Sequence, residues 1–359
     1  MKKFVLKFVL ITLMTFVPIV SCNYFVDPAN RFREDMVSKV AEYLNEGYIV
    51  ETPANMDEGL LQEKRISTMG YVPKTVIIGS SHIMYIPFDY DDTYNAGMSG
   101  SYLGDYYAIV GLLKYYNKMP KRIVIGVDPW AFLRDSTDGY WVSLKPYSFY
   151  LKRDIVGSSF FSDKVAYGIL RGSKLMELYS LAYFRSSLSK IKSDGLPQKS
   201  NESVAIVDDT LVSEKSKIAT DGRRISAKKG FQDIVDIEKD VDKKISSGNI
   251  YQFGKGFTQI PDTQWDEFVT LIQYLRDNGI EVVLYLPAWH PRVYELFATD
   301  DEYSGVLKVE NKVRIFAKKN DIVVHGGYNP ANNNFNTEDF MDWLHLKPNK
   351  MYEDYQSIQ

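Results

Sequence analysis

The sequence predicts an α/β protein in which a mainly parallel sheet lies between two layers of helices. Fully apolar, β-branched runs such as Thr75-Val76-Ile77-Ile78 are typical of parallel strands that are buried on both faces. Between these runs lie segments in which apolar residues recur at helical spacing. Alternating strands and helices imply a parallel sheet covered by helices, so we expect a three-layer α/β/α sandwich.

The predicted elements follow one another in a regular order. The strand that begins at Thr75 precedes a helix from Leu103 to Tyr116 and a second buried strand at 122–128. A helix with its apolar face beginning at Trp265 ends at Asn278-Gly279, a typical C-terminal cap signal. A strand at 280–287, a helix at 306–319 and a short strand at 322–325 complete the pattern. Ligands of such sheets bind outside the carboxyl ends of the strands, and we expect a site there.

The chain divides into four predicted segments. Residues 1–26 form a signal anchor or lipoprotein signal, and residues 27–70 form a linker with one amphipathic helix. Residues 71–186 and 252–359 form the domain that carries the predicted sheet, and residues 187–251 form a charged insertion. A charge run is usually a solvated face. The alternative is an insertion that caps the site or contacts a partner.

The N-terminus carries an export signal. Three lysines flank or precede an apolar run from Phe8 to Val20, which places the rest of the chain outside the cytoplasm. Ile19-Val20-Ser21-Cys22 resembles a lipoprotein box, in which the cysteine is acylated. An uncleaved anchor over residues 4–25 is the competing interpretation, and a buried core helix is a third. We favour the anchor, because Pro18 and the aromatic residues beyond Cys22 fit a membrane exit.

Composition excludes several classes of function. The net charge of −3 predicts no nucleic-acid partner. The single cysteine excludes an internal disulfide framework and any multi-cysteine metal site. The four histidines show no metal-ligand spacing. We therefore expect neither a metal nor a cofactor.

Two short motifs carry the chemistry. Gly79-Ser80-Ser81 follows the first predicted strand, where a turn exposes a serine hydroxyl. Near the other end of the chain, Asp342 and His345 are three positions apart, which places them on one helical or turn face. A histidine can take the proton of a serine, and a carboxylate orients that histidine and stabilises its charged form. The motifs together predict a Ser81, His345, Asp342 triad.

In these motifs the sequence resembles the SGNH/GDSL hydrolase superfamily. The resemblance covers roughly residues 74–130 and 265–350. It implies a flavodoxin-like sheet, an acyl-enzyme on Ser81, and an oxyanion hole that includes the N–H group of Ser81. It also implies that Asn95 and Gly100, in the run Asn95-Ala96-Gly97-Met98-Ser99-Gly100, belong to the second sequence block, with Gly100 as an oxyanion donor.

One block departs from the family pattern. Where the family has Gly-x-Asn-Asp, this chain has Gly126-Val127-Asp128-Pro129. A carboxylate cannot donate to an oxyanion unless it is protonated. Asp128 is therefore either a pocket carboxylate or a turn-forming residue. His82, beside the predicted nucleophile, is interpreted as a wall of the site, and His290 at a later strand end either lines the pocket or is structural.

The resemblance is closest in style to membrane-anchored envelope proteins such as the teichoic acid D-alanyl transfer and alginate O-acetylation proteins. It implies a serine esterase or O-acyltransferase that acts on acyl esters of a cell-envelope polysaccharide or teichoic-acid-like polymer. A membrane-bound O-acyltransferase is the implied partner. The alternative is a non-catalytic accessory or binding protein of such a system, which the missing asparagine favours.

Overall fold

A five-stranded, all-parallel sheet lies at the centre of the molecule. A computed structural model describes residues 2–28, 32, 34–53, 56–87, 92–157, 175, 177–195, 204–207 and 214–357. The strands of the sheet are β1 Thr75–Ile78, β2 Thr93–Asn95, β3 Arg122–Gly126, β4 Glu281–Leu286 and β5 Val323–Gly326. Their order across the sheet is β2-β1-β3-β4-β5. This is the order of flavodoxin-like doubly wound sheets, in which the crevice lies between β1 and β3. The predicted α/β class is confirmed.

Helices cover the sheet on both faces. The helical segments are Lys2–Val26, Glu34–Asn45, Glu58–Thr68, Ser81–Met84, Leu103–Tyr115, Lys145–Ile155, Leu181–Asp194, Ile234–Ser247, Asp262–Asp277, Pro291–Thr299, Ser304–Lys319 and Pro348–Gln356. On one face, Val76, Ile123 and Leu284 share a core with the helices Leu103–Tyr115 and Asp262–Asp277. On the other face, alternate strand residues pack against the short helix after β1 and the C-terminal segment: Ile77, Val124, Val283, Tyr285, Ile83, Phe335, Met351 and Tyr355.

The end of β1 requires a glycine. Gly79 has φ +154°, a backbone conformation that side chains with a Cβ rarely adopt. A Cβ at this position would lie 3.1 Å from the carbonyl oxygen of Gly126. The two strand ends therefore approach each other closely, and the chain turns sharply into Ser80 and Ser81.

The described part of the predicted linker at 27–70 is folded. Besides the helix Glu34–Asn45, it contains the strand Ile49–Glu51 and the helix Glu58–Thr68. The two helices bury a small apolar core of their own, made by Val37, Val40, Leu44, Val50, Leu60, Leu61 and Ile218. The prediction of one helix and a linker was therefore wrong for the second half of this segment, because these side chains form a packed unit.

The predicted charged insertion contributes to this unit. Strands Ile206–Val207 and Lys217–Ile218 flank Ile49–Glu51, and Arg224–Ile225 completes a four-stranded antiparallel sheet. A second pair, Asn249–Ile250 and Phe253–Gly254, closes the segment. Residues 196–203 and 208–213 of the predicted insertion lie outside the described residues.

The predicted signal or anchor is helical from Lys2 to Val26. The side chains at 2, 4–6 and 8–13, which include much of the predicted apolar run, lie outside what the structure describes. In the part of the chain that is described, no helix has the length and apolar character needed to cross a membrane.

Candidate active site

Ser81 lies where β1 ends, beside the end of β3. The hydroxyl oxygen of Ser80 accepts a hydrogen bond from the backbone N–H of His82 at 3.2 Å. This bond caps the short helix Ser81–Met84 and fixes the backbone on which Ser81 stands. Only 8% of Ser81 is exposed, so its hydroxyl has little contact with bulk water.

Asp342 and His345 belong to one tight turn. Oδ1 of Asp342 accepts hydrogen bonds from the backbone N–H groups of Leu344 and His345, both at 2.7 Å. The N–H of Met341 donates to the carbonyl oxygen of His345 at 2.9 Å and closes the turn. Nδ1 of the His345 ring lies 2.8 Å from Oδ2 of Asp342. The three-residue spacing thus places carboxylate and imidazole in direct contact.

The structure brings the turn against the serine. Nε2 of His345 lies 2.8 Å from Oγ of Ser81. Burial alone would raise the pKa of Asp342, but the charge and hydrogen bond of His345, with the two backbone N–H groups, hold that pKa below its ordinary value. Asp342 is therefore ionised at neutral pH and accepts the Nδ1–H of His345, which leaves Nε2 to accept the hydroxyl proton of Ser81.

The loop that carries Gly100 is held from both sides. The indole N–H of Trp141 donates to the carbonyl oxygen of Ser99 at 3.0 Å. Glu58 accepts the backbone N–H of Ser99 at 2.7 Å. In a trans peptide the carbonyl and N–H groups point in opposite directions. The N–H of Gly100 shares its peptide with the carbonyl of Ser99, so it points away from Trp141.

The predicted oxyanion donors are the backbone N–H groups of Ser81 and Gly100. Among the described residues, neither the N–H of Ser81 nor that of Gly100 donates to a protein acceptor. Gly100 has φ +67°, which is a conformation suited to glycine. Its loop packs on the short helix, where the hydroxyl of Ser99 lies 4.0 Å from the sulfur of Met84. Such free N–H groups can stabilise a developing oxyanion.

Asn95 ties the same loop to the helix of Ser81. Its amide oxygen accepts the backbone N–H of Gly97 at 2.9 Å, and Nδ2 donates to the carbonyl oxygen of Ile83 at 2.8 Å. Asn95 is 2% exposed. The amide thus links the end of β2 to the nucleophile turn.

Asp128 and His82, which sequence reasoning did not connect, form a buried pair. Nδ1 of His82 lies 2.6 Å from Oδ1 of Asp128, and Nε2 lies 3.1 Å from the carbonyl oxygen of Leu344. The His82 ring packs against Trp130 and Trp289, each with ring centroids 5.4 Å away. Asp128, in the block that differs from the family pattern, therefore has its Oδ1 bonded to a histidine. No local sequence signal marks the pair, which meets because β1 and β3 are neighbours in the sheet.

His290 is buried apart from the triad's hydrogen bonds. Neither ring nitrogen has a hydrogen-bond partner among the described residues, and Nε2 lies 3.8 Å from Oε1 of Glu238. Burial, opposed by Glu238 and assisted by Arg292, lowers the pKa of His290 to about 4. The ring packs on Phe340 with centroids 5.2 Å apart. At neutral pH it is therefore uncharged and fills space behind the turn.

The charged segment reaches the site. The backbone N–H of Gln232 donates to the carbonyl of Met341 at 2.8 Å, and Lys244 lies 4.7 Å from the ring centre of Trp343. A Cβ on Gly100 would lie 3.3 Å from the hydroxyl of Tyr251. Part of the segment therefore contacts the turn of Asp342 and His345 and the loop of Gly100, and other parts pair with the strand Ile49–Glu51.

No family model matches the chain, and no curated protein does so. No cluster of histidine, cysteine, aspartate or glutamate that could hold a metal ion occurs in the described part of the chain.

Proposed function

We propose that the chain is an SGNH-like serine esterase or O-acyltransferase that acts through Ser81, His345 and Asp342. The hydrogen-bonded series from Ser81 Oγ through the imidazole of His345 to the Asp342 carboxylate carries the proposal. This is the arrangement that activates a serine hydroxyl for attack on an acyl carbon. The envelope polymer as substrate rests on the resemblance noted above.

The chemistry follows from these contacts. Oγ of Ser81 attacks the ester carbonyl carbon while Nε2 of His345 takes the hydroxyl proton, and the carbonyl π electrons move to oxygen. The N–H groups of Ser81 and Gly100 face that oxyanion. Collapse of the intermediate breaks the bond to the leaving alcohol, which receives the proton from His345. Water or a polymer hydroxyl then attacks the acyl-enzyme by the same steps in reverse order, and Ser81 is regenerated.

The oxyanion hole of this proposal contains two backbone donors and no asparagine. Loss of one donor lowers the rate by about 10²–10³-fold in another serine hydrolase. The carboxylate of Asp128 does not replace that donor, because its Oδ1 is committed to His82. A slow reaction is therefore expected, whether water or an acceptor hydroxyl attacks the acyl-enzyme.

The proposed setting is the outer face of the bacterial cytoplasmic membrane. The N-terminus supports this setting, because it resembles an export signal: Lys2, Lys3 and Lys7 lie at the start of the helix Lys2–Val26. A membrane-bound O-acyltransferase is the proposed partner. Mass analysis of the mature N-terminus distinguishes an acylated Cys22 from an uncleaved anchor.

The test is fluorophosphonate labelling of the full chain together with turnover of p-nitrophenyl acetate. We expect labelling and turnover in the wild type, loss of both in Ser81→Ala, and retention of both in Ser246→Ala. Ser246 is a control because, in the described part of the chain, its hydroxyl bonds to the carbonyl of Lys243 in its own helix, at 3.2 Å, and to no other group. Full turnover by Ser81→Ala contradicts the triad.

A second arm separates hydrolysis from transfer. Acetyl from p-nitrophenyl acetate is followed into acetic acid and into an added soluble polysaccharide. Acetylated polysaccharide supports the transferase form, and acetic acid alone supports the esterase form.

The second candidate function is a non-catalytic accessory or binding protein. The absence of an asparagine donor at the end of β3 favours it, because the hole then lacks one group of the family pattern. In an accessory protein, wild-type Ser81 would not be labelled by the fluorophosphonate. The wild type and the Ser81→Ala variant would bind the polymer or the partner with equal affinity.

A further inference from the structure

His82 connects the nucleophile to the turn of the catalytic base. Its backbone follows Ser81 directly, and its side chain reaches the turn that carries His345. Nε2 of His82 lies 3.1 Å from the carbonyl oxygen of Leu344. The rings of His82 and His345 have centroids 5.4 Å apart. One residue therefore contacts both halves of the triad, although neither of its ring nitrogens contacts Ser81 Oγ.

The bonding partners define which hydrogens the His82 ring carries. A carbonyl oxygen can only accept, so Nε2 must bear a hydrogen. Nδ1 of His82 lies 2.6 Å from Oδ1 of Asp128, and a second hydrogen lies between these two atoms. The side chains of His82 and Asp128 are 2% and 0% exposed, and an isolated charge there would be strongly unfavourable. The contact with Asp128 therefore keeps the ring oriented with Nε2–H towards Leu344.

The bonded carbonyl belongs to the peptide that precedes His345. The N–H of that same peptide donates to Oδ1 of Asp342 at 2.7 Å. The Leu344–His345 peptide is thus held at both ends, by His82 on the carbonyl side and by Asp342 on the N–H side. A peptide fixed at both ends cannot rotate about its flanking bonds, and the Cα of His345 is fixed with it.

We propose that His82 is a positioning residue, oriented by Asp128, which fixes the Leu344–His345 peptide and so keeps Nε2 of His345 in reach of Ser81. This inference rests on the proposed function for its kinetic consequence. It also gives a role to the block that differs from the family pattern. Asp128, which stands where the family has asparagine, orients the histidine that holds the turn of His345. An error of about 1 Å in such a group can lower a rate by about 10²-fold.

The first test is independent of activity. The chain has four histidines, so ¹⁵N-histidine labelling yields few enough ring signals to assign by single substitution. We expect the Nε2 of His82 to carry a slowly exchanging hydrogen in the wild type. A bare Nε2 on His82 overturns the proposal, whether or not the chain hydrolyses any ester.

The second test uses two matched double variants. His82→Gln with Asp128→Asn keeps a donor at the position of Nε2, while His82→Met with Asp128→Asn keeps the length and removes the donor. Both remove the buried carboxylate. We expect the Met variant to have a kcat for p-nitrophenyl acetate about 10–100-fold lower than the Gln variant, with little change in KM. Equal kcat values in two variants with equal melting temperatures overturn the proposal.

The two proposals fail in different ways. Absence of fluorophosphonate labelling in the wild type contradicts the serine chemistry. The role of His82 is then tested by the ¹⁵N signals of the histidine rings alone. In that case the readout is the exchange rate of the Nδ1–H of His345, which we expect to be faster in the Met variant than in the Gln variant. Equal exchange rates count against the positioning role.

Discussion

Two pairs of histidine and aspartate lie side by side and differ in what the second ring nitrogen meets. In the pair of His345 and Asp342, Nε2 faces the hydroxyl of Ser81 at 2.8 Å. In the pair of His82 and Asp128, Nε2 faces a carbonyl oxygen at 3.1 Å. A hydroxyl can donate its proton to the ring, whereas a carbonyl oxygen can only accept a hydrogen bond from it.

Exposure separates the pairs in the same direction. The side chains of His345 and Asp342 are 15% and 27% exposed, against 2% and 0% for His82 and Asp128. The first pair is reachable from solvent, and the second is buried. In the roles proposed above, the same two residue types serve proton transfer in one pair and positioning in the other, and the atom that faces Nε2 distinguishes them.

The largest expected effect comes from exchanging Asp342 for asparagine, and the same exchange at Asp128 is its counterpart. In Asp342→Asn, the amide donates to Nδ1 of His345, which puts the hydrogen on Nε2, where it opposes the Ser81 hydroxyl. We expect kcat for p-nitrophenyl acetate to fall by about 10⁴-fold. In Asp128→Asn the same exchange puts the hydrogen on Nε2 of His82, which is what the Leu344 carbonyl requires.

The second substitution is therefore the matched control for the first. We expect Asp128→Asn to reduce kcat by less than about tenfold, within the range of one altered hydrogen bond. Equal losses in the two variants would show that the pairs do not differ in role.

A smaller effect is expected at the oxyanion side, where Trp141 holds the carbonyl of Ser99 as His82 holds that of Leu344. Trp141→Phe removes the indole donor and leaves Glu58 on the other peptide of Ser99. The Gly100 N–H is loosened rather than lost, so we expect kcat to fall by about tenfold, less than the ~10²–10³-fold for a deleted donor. Steady-state kinetics alongside a thermal melt checks this; an unchanged kcat in a folded variant contradicts the role of Gly100.

The smallest effect concerns a third carboxylate, which has no histidine. Burial raises the pKa of Asp354 from 3.8 to about 7, against the hydrogen bonds of Tyr285, the Ala288 N–H and Asn333. The folded state therefore binds more protons than the unfolded state between about pH 4 and pH 7. The free energy of unfolding should decrease as pH rises through this window, by at most roughly 4 kcal/mol.

Denaturant unfolding across pH checks this slope. Asp354→Asn should abolish it, because the amide does not titrate. Asp342 provides the opposite sign: its lowered pKa contributes stability that is lost as pH falls below its unfolded value. A slope between pH 4 and 7 that survives in Asp354→Asn would assign the effect to another group.

The parts of the triad could be predicted because each lies in a short local pattern. Ser81 follows a β-branched run, and the turn of Asp342 and His345 spans four residues. The pairing of His82 with Asp128 could not be predicted, since 46 positions separate them and no local pattern marks either one. They meet because β1 and β3 are neighbours, and strand order depends on the packing of the whole chain.

The same limit applies to the fold. The strands of the sheet carry continuous apolar runs, except β2, a strand of three residues. The helix Glu58–Thr68 escaped detection because its buried residues include Gln62, Glu63 and Arg65, which mask the apolar period. These polar groups are buried with partners, as in the 2.6 Å hydrogen bond from Arg65 to the carbonyl of Thr220. Such partners cannot be identified from one sequence.

The separation of Ser81 from His345 has a consequence for the order of events during synthesis. The two residues are 264 positions apart, which a ribosome translating at about 5–20 residues per second covers in roughly 13–50 s. During that interval the nucleophile exists without its base. The contact between them closes a loop of 264 residues, and such non-local contacts are among the slower steps of folding. The proposed activity is therefore silent in the nascent chain and begins only when the last layer of the sandwich docks.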